Sequence, residues 1–370
     1  MDKNSKVFID LLQAGLWEKE VQLSPYKDID FSEVYRIAEE QSVIGLVAAG
    51  LEHASNLKVP KQWALQFAGQ AIQLEQRNAA MNAFVAQLIS ELRKEDIYSL
   101  LVKGQGIAQC YDRPSWRTCG DVDLYLSIDN YRVAKKLLCA KASHIDVEDV
   151  DKLHLAMTID GWVVELHGSM HSDISRRINK GLDEVHNNIF LGGEVRSWNN
   201  SGVTVFLPSA NNDVIIVFSH ILQHFFIEGI GLRQICDWCR LLYTYRDSLN
   251  YGLLESRLKK MGVMTEWKAF AALAVDYLGM PSTVMPFYDN ANKWKKKGQR
   301  ILSLILETGT FGHNRDLSYK QQDNFLNRLV KSFGRRNSDS IKQISIFPLD
   351  GLWMWWKMIC LGIKVAAKGN

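Results

Sequence analysis

The sequence lacks several features that would place it in a specialised class of protein. Its 370 residues include only seven prolines and 25 glycines, too few for a collagen-like or linker-rich chain. No apolar run reaches the roughly 18 residues that a membrane-spanning helix needs. The formal net charge is only +3, which argues against a dedicated polyanion binder and against an acidic disordered chain. The hydrophobic content of 47% is typical of a folded protein.

Cysteine is also scarce, and its spacing argues against a disulfide framework or a zinc cluster. Of the six cysteines, only Cys236 and Cys239 lie close together in the sequence. Without a second such pair, and within a helical pattern, we interpret both thiols as structural. The first apolar segment ends at Leu16 and acidic residues follow it, which is not the pattern of a signal peptide. With the scattered thiols, this predicts a cytoplasmic protein.

The two ends of the chain have the periodicity of helices. Residues 1–95 predict an N-terminal helical region, with one long helix between Trp63 and Leu92. Its predicted buried face includes Leu65, Ala68, Ile72, Leu74, Met81, Phe84, Val85 and Leu88. Residues 209–370 predict a C-terminal helical region, in which apolar stripes indicate helices at 214–226, 232–245 and 266–278.

Residues 96–208 have the pattern of a mixed α+β domain. Short apolar runs predict strands at 98–102, 121–128, 153–159 and 162–167, and Asp160-Gly161 predicts a hairpin turn between the last two. Helices are predicted at 104–111 and 131–142, the second with Asp129 as N-cap. We therefore predict an α+β fold with a mixed sheet between the two helical regions.

Three acidic residues interrupt the predicted strands. Asp121 and Asp123 are two positions apart and so project from one face of their strand, as Glu165 and His167 do from theirs. If the two strands are neighbours, three carboxylates converge. Such groups repel one another unless a cation lies between them, and Mg²⁺ binds carboxylates together with substrate phosphates. Two aspartates at this spacing are also common on solvated strands, but that interpretation does not account for Glu165.

The step from strand to helix at Lys103-Gly104 predicts phosphate binding. A helix that begins at Gly104 directs free N–H groups and a positive dipole end at whatever lies there. Gly104 and Gly106 would allow the backbone to approach a ligand closely. Lys103 and Arg117 are candidate charge partners for a triphosphate.

These motifs, in their order, resemble those of the polymerase-beta-like nucleotidyltransferase superfamily. More narrowly, residues 101–126 resemble a bacterial family of poorly characterised nucleotidyltransferases with the signature K-G…Y…P…R…G-D-h-D-L-h, in which h is apolar. The residues that match are Lys103, Gly104, Tyr111, Pro114, Arg117, Gly120, Asp121, Asp123 and Leu124. Glu165-Leu-His167 resembles a later E-h-H element, and Gly231-Leu-Arg233 with Cys236-Asp237 resembles a later G-h-R…D helix.

The resemblance implies metal-dependent transfer of a nucleoside monophosphate from an NTP, such as ATP, to an acceptor hydroxyl on a sugar, small molecule or protein. It implies Mg²⁺ or Mn²⁺ as cofactor, held by the catalytic residues Asp121, Asp123 and Glu165. His167 would lie at the acceptor site. The nucleotide-binding residues would be Lys103, Gly104, Gln105, Arg117 and Gly120.

One departure from the superfamily pattern leads to an alternative hypothesis. The superfamily usually has Gly or Ser after the phosphate-loop glycine, whereas Gln105 follows Gly104 here. A non-catalytic nucleotide-binding or interaction scaffold of the same fold is therefore a second interpretation.

Other patterns in the C-terminal region allow more than one interpretation. His220 and His224 share a helix face and could bind zinc, but without an H-E-x-x-H glutamate we favour a structural or pocket-lining role. The aromatic, lysine-flanked residues 352–368 favour a docked terminal helix over contact with a membrane surface or partner protein. Residues 290–370 carry 15 Lys+Arg but five Asp+Glu. This basic tail leads to a third hypothesis, a nucleic-acid end-modifying transferase.

Overall fold

The N-terminal region is helical, as predicted. The structure, a computed structural model, describes residues 1–55, 59–309 and 325–368. The first four helices are α1 (Lys3–Trp17), α2 (Phe31–Glu40), α3 (Ile44–Glu52) and α4 (Lys61–Lys94). The side chains of Asp2 and Asp30 cap α1 and α2 by accepting bonds from backbone N–H groups of the first turn.

The predicted buried face of α4 was wrong in its first turns. Leu65, Ala68 and Ile72 are exposed, and the buried line instead follows Phe67, Ala71, Leu74, Asn78 and Met81. The prediction failed because some apolar residues lie on the outer face of α4 and because the polar Asn78 lies on its buried face. The Asn78 amide donates to the carbonyl oxygens of Ser115 and Arg117 at 2.7 and 2.8 Å, so its burial is compensated by hydrogen bonds.

A seven-stranded mixed sheet follows. Its strands are β1 (Ser99–Val102), β2 (Asp121–Leu126), β3 (His144–Ile145), β4 (His154–Ile159), β5 (Trp162–His167), β6 (Val195–Asn200) and β7 (Val203–Pro208). Their order is β3-β4-β5-β2-β1-β7-β6, with parallel pairing between β2 and β5 and between β1 and β7. The α+β fold class is therefore confirmed. The sequence missed β3 and the hairpin of β6 and β7, because β6 is a largely polar edge strand.

Three helices connect the strands. They are α5 (Gly104–Ala108), α6 (Ile128–Cys139) and α7 (Arg176–Phe190). Helix α5 is shorter than predicted. Helix α6 begins earlier, because Ser127 rather than Asp129 caps it by accepting a bond from the backbone N–H of Asn130. Helix α7 was not predicted from the sequence.

The C-terminal region is helical, as predicted. Its helices are α8 (Ala210–Ile227), α9 (Leu232–Thr244), α10 (Tyr251–Met261), α11 (Met264–Leu278), α12 (Asn292–Thr308), α13 (Phe325–Ile346) and α14 (Pro348–Lys368). Across the described ranges, no helix combines the length and apolar character required to cross a membrane.

The aromatic helix α14 lies on the rest of the protein. The indole N–H of Trp353 donates to the Ile174 carbonyl at 3.0 Å, and that of Trp355 donates to the Asn337 side chain at 2.6 Å. Trp353 and Trp356 nevertheless remain 51% and 58% exposed. The side chains of 361–368, which complete the predicted aromatic and basic segment, lie outside the described residues.

The sheet separates two hydrophobic cores. One face packs against the second half of α4 and against α6, and the other faces the N-terminal and C-terminal helices. These two helical regions share one core. Gln13 and Trp17 of α1 donate to the carbonyl oxygens of Tyr277 and Leu278 in α11, and the amide of Gln41 donates to Ile305 in α12. Helices α8 and α9 of the C-terminal region form the wall opposite the acidic strands.

Candidate active site

The predicted convergence of acidic residues is present at one end of the sheet. Parallel pairing of β2 with β5 places Asp123 beside Glu165 and Asp121 beside Val163. All three carboxylates line a cavity of about 290 Å³. Asp123 is almost fully buried, whereas Asp121 and Glu165 are partly exposed to the cavity. Repulsion from Asp123, together with burial, raises the pKa of Asp121 above its ordinary value.

Lys103 supplies a positive charge within this acidic cluster. It follows β1 directly, with φ at 56°, a left-handed conformation that is unfavourable for a residue with a Cβ. Its ammonium lies 2.6 Å from Asp123 Oδ1. Burial alone would lower the pKa of Lys103, but the nearby carboxylates of Asp123, Glu165 and Asp121 raise it. Lys103 therefore stays charged, and one ammonium faces three carboxylates.

Two histidines complete the acidic wall, and only one was predicted. His167 Nε2 lies 2.9 Å from Asp123 Oδ1 and 3.5 Å from Glu165 Oε2. His154 of β4 lies opposite His167, with its Nε2 3.2 Å from the same Glu165 oxygen. Burial would raise the pKa of Glu165, but the nearby imidazoles of His154 and His167 and the charge of Lys103 lower it. Burial would lower the pKa of His167, but the carboxylates of Asp123 and Glu165 raise it.

His154 could have been found from the sequence. The turn at Asp160-Gly161 makes Ile159 pair with Trp162, and continuing that register pairs His154 with His167. The atoms that His154, Glu165 and His167 could offer to a metal lie within 4.8 Å of one another. A metal could therefore be held by carboxylates alone or by a mixed carboxylate and imidazole set.

Arg117 does not have the contacts that its predicted role requires. It borders the cavity, but its Nε and Nη2 donate to the two carboxylate oxygens of Asp237 at 2.8 and 2.6 Å. Its Nη1 donates to the Thr118 carbonyl, and the Tyr111 hydroxyl donates to Asp237 at 2.7 Å. Arg117, Tyr111 and Asp237 thus form a buried structural network, and the guanidinium is not directed at a ligand.

Arg233 is better placed to meet an anion. It lies in the first turn of α9 and lines the cavity, with Nη1 donating to the Thr118 carbonyl at 2.9 Å. Its buried Nε has no hydrogen-bond partner among the described residues. From the sequence, Arg233 was noted only as part of a family motif and was not predicted to be a site residue. Nothing in the nearby sequence shows which side of α9 faces the cavity.

Gln105 is also placed differently from the prediction. Its side chain is buried away from the cavity, and Nε2 donates to Asn78 Oδ1 of α4 at 2.9 Å. Gly104 does line the cavity, but α5 has only five residues and its dipole is correspondingly small. Gly120 is exposed just before β2 and is not part of the cavity wall. Phosphate binding would therefore depend on cationic side chains more than on a helix terminus.

Helix α8 and its C-cap form the opposite wall, with three polar residues at four-residue spacing. His220 Nε2 lies 2.9 Å from His224 Nε2, and His224 Nδ1 lies 2.9 Å from Glu228 Oε2. All three line the cavity, consistent with the favoured pocket-lining role. Burial, with the charge of Lys103, holds the pKa of His220 well below its ordinary value. His220 is therefore neutral.

Cys236 and Cys239 are consistent with the structural interpretation. Both are free thiols and fully buried within α9. Burial raises the pKa of each above its ordinary value, so neither is a reactive thiolate.

The fold and the sequence agree on the class of protein. A mixed sheet of this kind, flanked by helices, is of the nucleotidyltransferase type. The chain belongs to a family described as uncharacterised nucleotidyltransferases, whose match covers residues 27–279. The predicted nucleotidyltransferase relationship is thereby confirmed.

Comparison with solved structures finds one similar protein at low sequence identity. An antigenic nucleotidyltransferase-like protein from Paracoccidioides brasiliensis is similar to 55% of this chain over 95% of its own, at 16% identity. The TM-score of this match is 0.32. No curated protein matches the sequence.

Proposed function

We propose that the protein is a metal-dependent nucleotidyltransferase that transfers a nucleoside monophosphate from an NTP, such as ATP, to an acceptor hydroxyl. The observation that carries this proposal is the convergence of Asp121, Asp123 and Glu165 beside Lys103 in one cavity. The acceptor is a sugar, a small molecule or a protein side chain. Membership of the nucleotidyltransferase family supports the reaction class.

The carboxylates fit a divalent cation. With three carboxylates and one ammonium lining the same cavity, the cluster has an excess of negative charge, and the raised pKa of Asp121 reflects that repulsion. Asp121, Asp123 and Glu165 would hold Mg²⁺ or Mn²⁺, whose oxygen preference matches this set. When bound, such an ion neutralises charge that develops on the transferred phosphoryl group.

The other cavity residues divide between the two substrates. Lys103 and Arg233 bind phosphate oxygens, and Lys103 exchanges its contact with Asp123 for the nucleotide. The acceptor oxygen attacks the α-phosphorus as the bond to pyrophosphate breaks, and Glu165 takes the hydroxyl proton. His167, beside Glu165, stabilises its negative charge. Neutral His220, on the opposite wall, accepts a hydrogen bond from the acceptor and orients it.

Calorimetry with Mg²⁺ and each NTP in turn tests the proposal. We expect at least one NTP to bind, and the double variant Asp121→Asn with Asp123→Asn to bind it at least tenfold more weakly. Asp129→Asn is the matched control, because this side chain is 95% exposed and remote from the cavity wall. Metal-dependent NTP binding that survives the double substitution would overturn the site assignment.

The two alternative functions gain no support from the structure. The scaffold hypothesis began from Gln105, whose side chain contacts α4 and not the cavity. The hypothesis of nucleic-acid end modification began from the basic residues of 290–370, of which 310–324 and 369–370 lie outside the described residues. A filter-binding measurement that found salt-sensitive RNA or DNA affinity would return this hypothesis to consideration.

A further inference from the structure

We propose that His154, Glu165 and His167 form a binding site for a first-row transition-metal ion, such as Co²⁺, Zn²⁺ or Mn²⁺. This site lies in the same cavity as the proposed nucleotidyl transfer. It does not depend on that function, because the side chains of the protein supply these three ligands without a nucleotide.

Two of the three distances between donor atoms at this site are those of metal ligands. Metal–nitrogen and metal–oxygen bonds of about 2.1 Å place neighbouring ligand atoms roughly 3.0 Å apart in octahedral and 3.4 Å apart in tetrahedral coordination. Glu165 Oε2 lies 3.2 Å from His154 Nε2 and 3.5 Å from His167 Nε2. The latter distance is too long for a good hydrogen bond but suits an edge of a coordination polyhedron. A fourth donor is close, since Asp123 Oδ1 lies 2.9 Å from His167 Nε2.

The chemistry of the donors selects the class of metal. Mg²⁺ takes oxygen ligands almost exclusively, whereas imidazole nitrogen suits the later divalent ions. Two imidazoles and one carboxylate also form a common set of protein ligands for catalytic zinc. The His154 side of the cavity therefore differs from the aspartate side in the ion it prefers.

Formal charge favours a divalent ion at this position. The cavity brings the three carboxylates of Asp121, Asp123 and Glu165 together with the one ammonium of Lys103, and each histidine binds a metal in its neutral form. The cluster then has a formal charge of about −2, which one divalent ion balances. Lys103 opposes a nearby cation, but its contact with Asp123 places it on the aspartate side.

The ligands are both fixed and accessible. His154 and His167 are direct cross-strand partners in the β4–β5 hairpin, and their ring centroids are 4.8 Å apart. The His154 side chain is 35% exposed and that of Glu165 is 24% exposed, so an ion can enter from the cavity. The backbone pairing sets the spacing before the metal arrives, which reduces the cost of ordering the ligands.

Cobalt titration of the chelator-treated, nucleotide-free protein tests the site. Co²⁺ with nitrogen ligands absorbs visible light, so both affinity and ligand type are measured directly. We expect His154→Gln to weaken Co²⁺ binding at least tenfold and to change the absorption, and His154→Asp, which keeps a ligand, to retain binding. His144→Gln should behave as the unaltered protein, because His144 lies in the same sheet but is exposed and remote from the cavity.

The outcomes separate this site from the proposed nucleotide site. Asp121→Asn should retain Co²⁺ binding while weakening NTP binding, and a large excess of Mg²⁺ should not displace Co²⁺. Equal Co²⁺ affinity in His154→Gln and the unaltered protein would overturn the proposal. Loss of Co²⁺ binding in Asp121→Asn alone would also overturn it, by assigning the ion to the aspartates. Circular dichroism of each metal-free variant shows whether the variant is folded.

Discussion

Arg117 and Asp237, 120 positions apart in the sequence, are joined by two parallel hydrogen bonds of 2.8 and 2.6 Å in the interior. This pair fixes the loop before β2 against α9 and so holds the acidic strand relative to the helical wall. A bidentate pair of this kind is specific in geometry as well as in charge.

We expect Arg117→Ala to destabilise the protein by about 3–5 kcal/mol, because it leaves Asp237 charged and buried without its partner. Urea denaturation measures this change in the free energy of unfolding. Arg113→Ala is the control, since Arg113 is 30% exposed in its ion pairs with Glu18 and Glu52, and the substitution should cost only about 1 kcal/mol or less. Unchanged stability with abolished NTP binding would restore Arg117 as a phosphate ligand.

Gln105 should contribute to stability and not to nucleotide affinity. Gln105→Leu leaves the carbonyl oxygen of Asn78 without its buried donor, which should cost roughly 1–3 kcal/mol. The dissociation constant for NTP, measured by calorimetry, should change less than twofold. Gln109→Leu, at the partly buried C-cap of α5, provides the comparison for both stability and NTP affinity. A large change in NTP affinity at full stability would show that residue 105 contacts the nucleotide.

Lys103 should act as an internal counter-ion of the metal-free protein. Lys103→Met leaves the three carboxylates to repel one another, so the metal-free variant should unfold at a lower temperature. Millimolar Mg²⁺ should raise the melting temperature more in this variant than in the unaltered protein, because the ion replaces the lost charge. Calorimetry should show weaker NTP binding. An identical effect of Mg²⁺ on both proteins would contradict this role.

Glu266 in α11 predicts a pH-dependent loss of stability. Burial, followed by the nearby carboxylate of Asp350, raises the pKa of Glu266 to about 8, and Lys297 opposes this only in part. The folded pKa exceeds the unfolded value of about 4.3, so the folded state binds more protons between these values. The contribution of Glu266 to the free energy of unfolding is fully present below the unfolded pKa. It is lost as the pH rises toward the folded pKa of about 8.

Denaturation between pH 5 and about 8 checks this expectation. Glu266→Gln should flatten the decline and make the variant the more stable protein at the upper end of the range. Glu255→Gln, an exposed substitution on α10, should follow the unaltered protein. Parallel curves for the unaltered protein and Glu266→Gln would contradict the assignment.

Much of the catalytic sheet could be predicted because its signals are local. Alternating apolar residues identified β2 and β5, and the Asp160-Gly161 turn fixed the β4–β5 register. The polar edge strand β6 gave no such alternation, so its hairpin with β7 was missed. The same hairpin register also predicts His154, because its last pair places His154 opposite His167.

The roles of single side chains were harder to predict, since they depend on distant partners. Nothing near Arg117 reveals that Asp237 will neutralise it, and nothing near Gln105 reveals Asn78 on α4. Both residues lie within a motif whose pattern is satisfied equally by ligand binding and by packing. The positions of the carboxylates were easier to predict, because pairing of β2 with β5 is sufficient to bring them together.

The shared core of the two helical ends has a consequence for synthesis of the chain. Gln13 donates to the carbonyl of Tyr277, 264 residues later, and Gln41 reaches Ile305. On a ribosome, α1 and α2 therefore emerge long before the helices that cover them. The parts of their surface that pack against α11 and α12 stay exposed until more than two thirds of the chain has been translated. Chaperone capture of the growing amino-terminal segment is thus an expected step in the biogenesis of this protein.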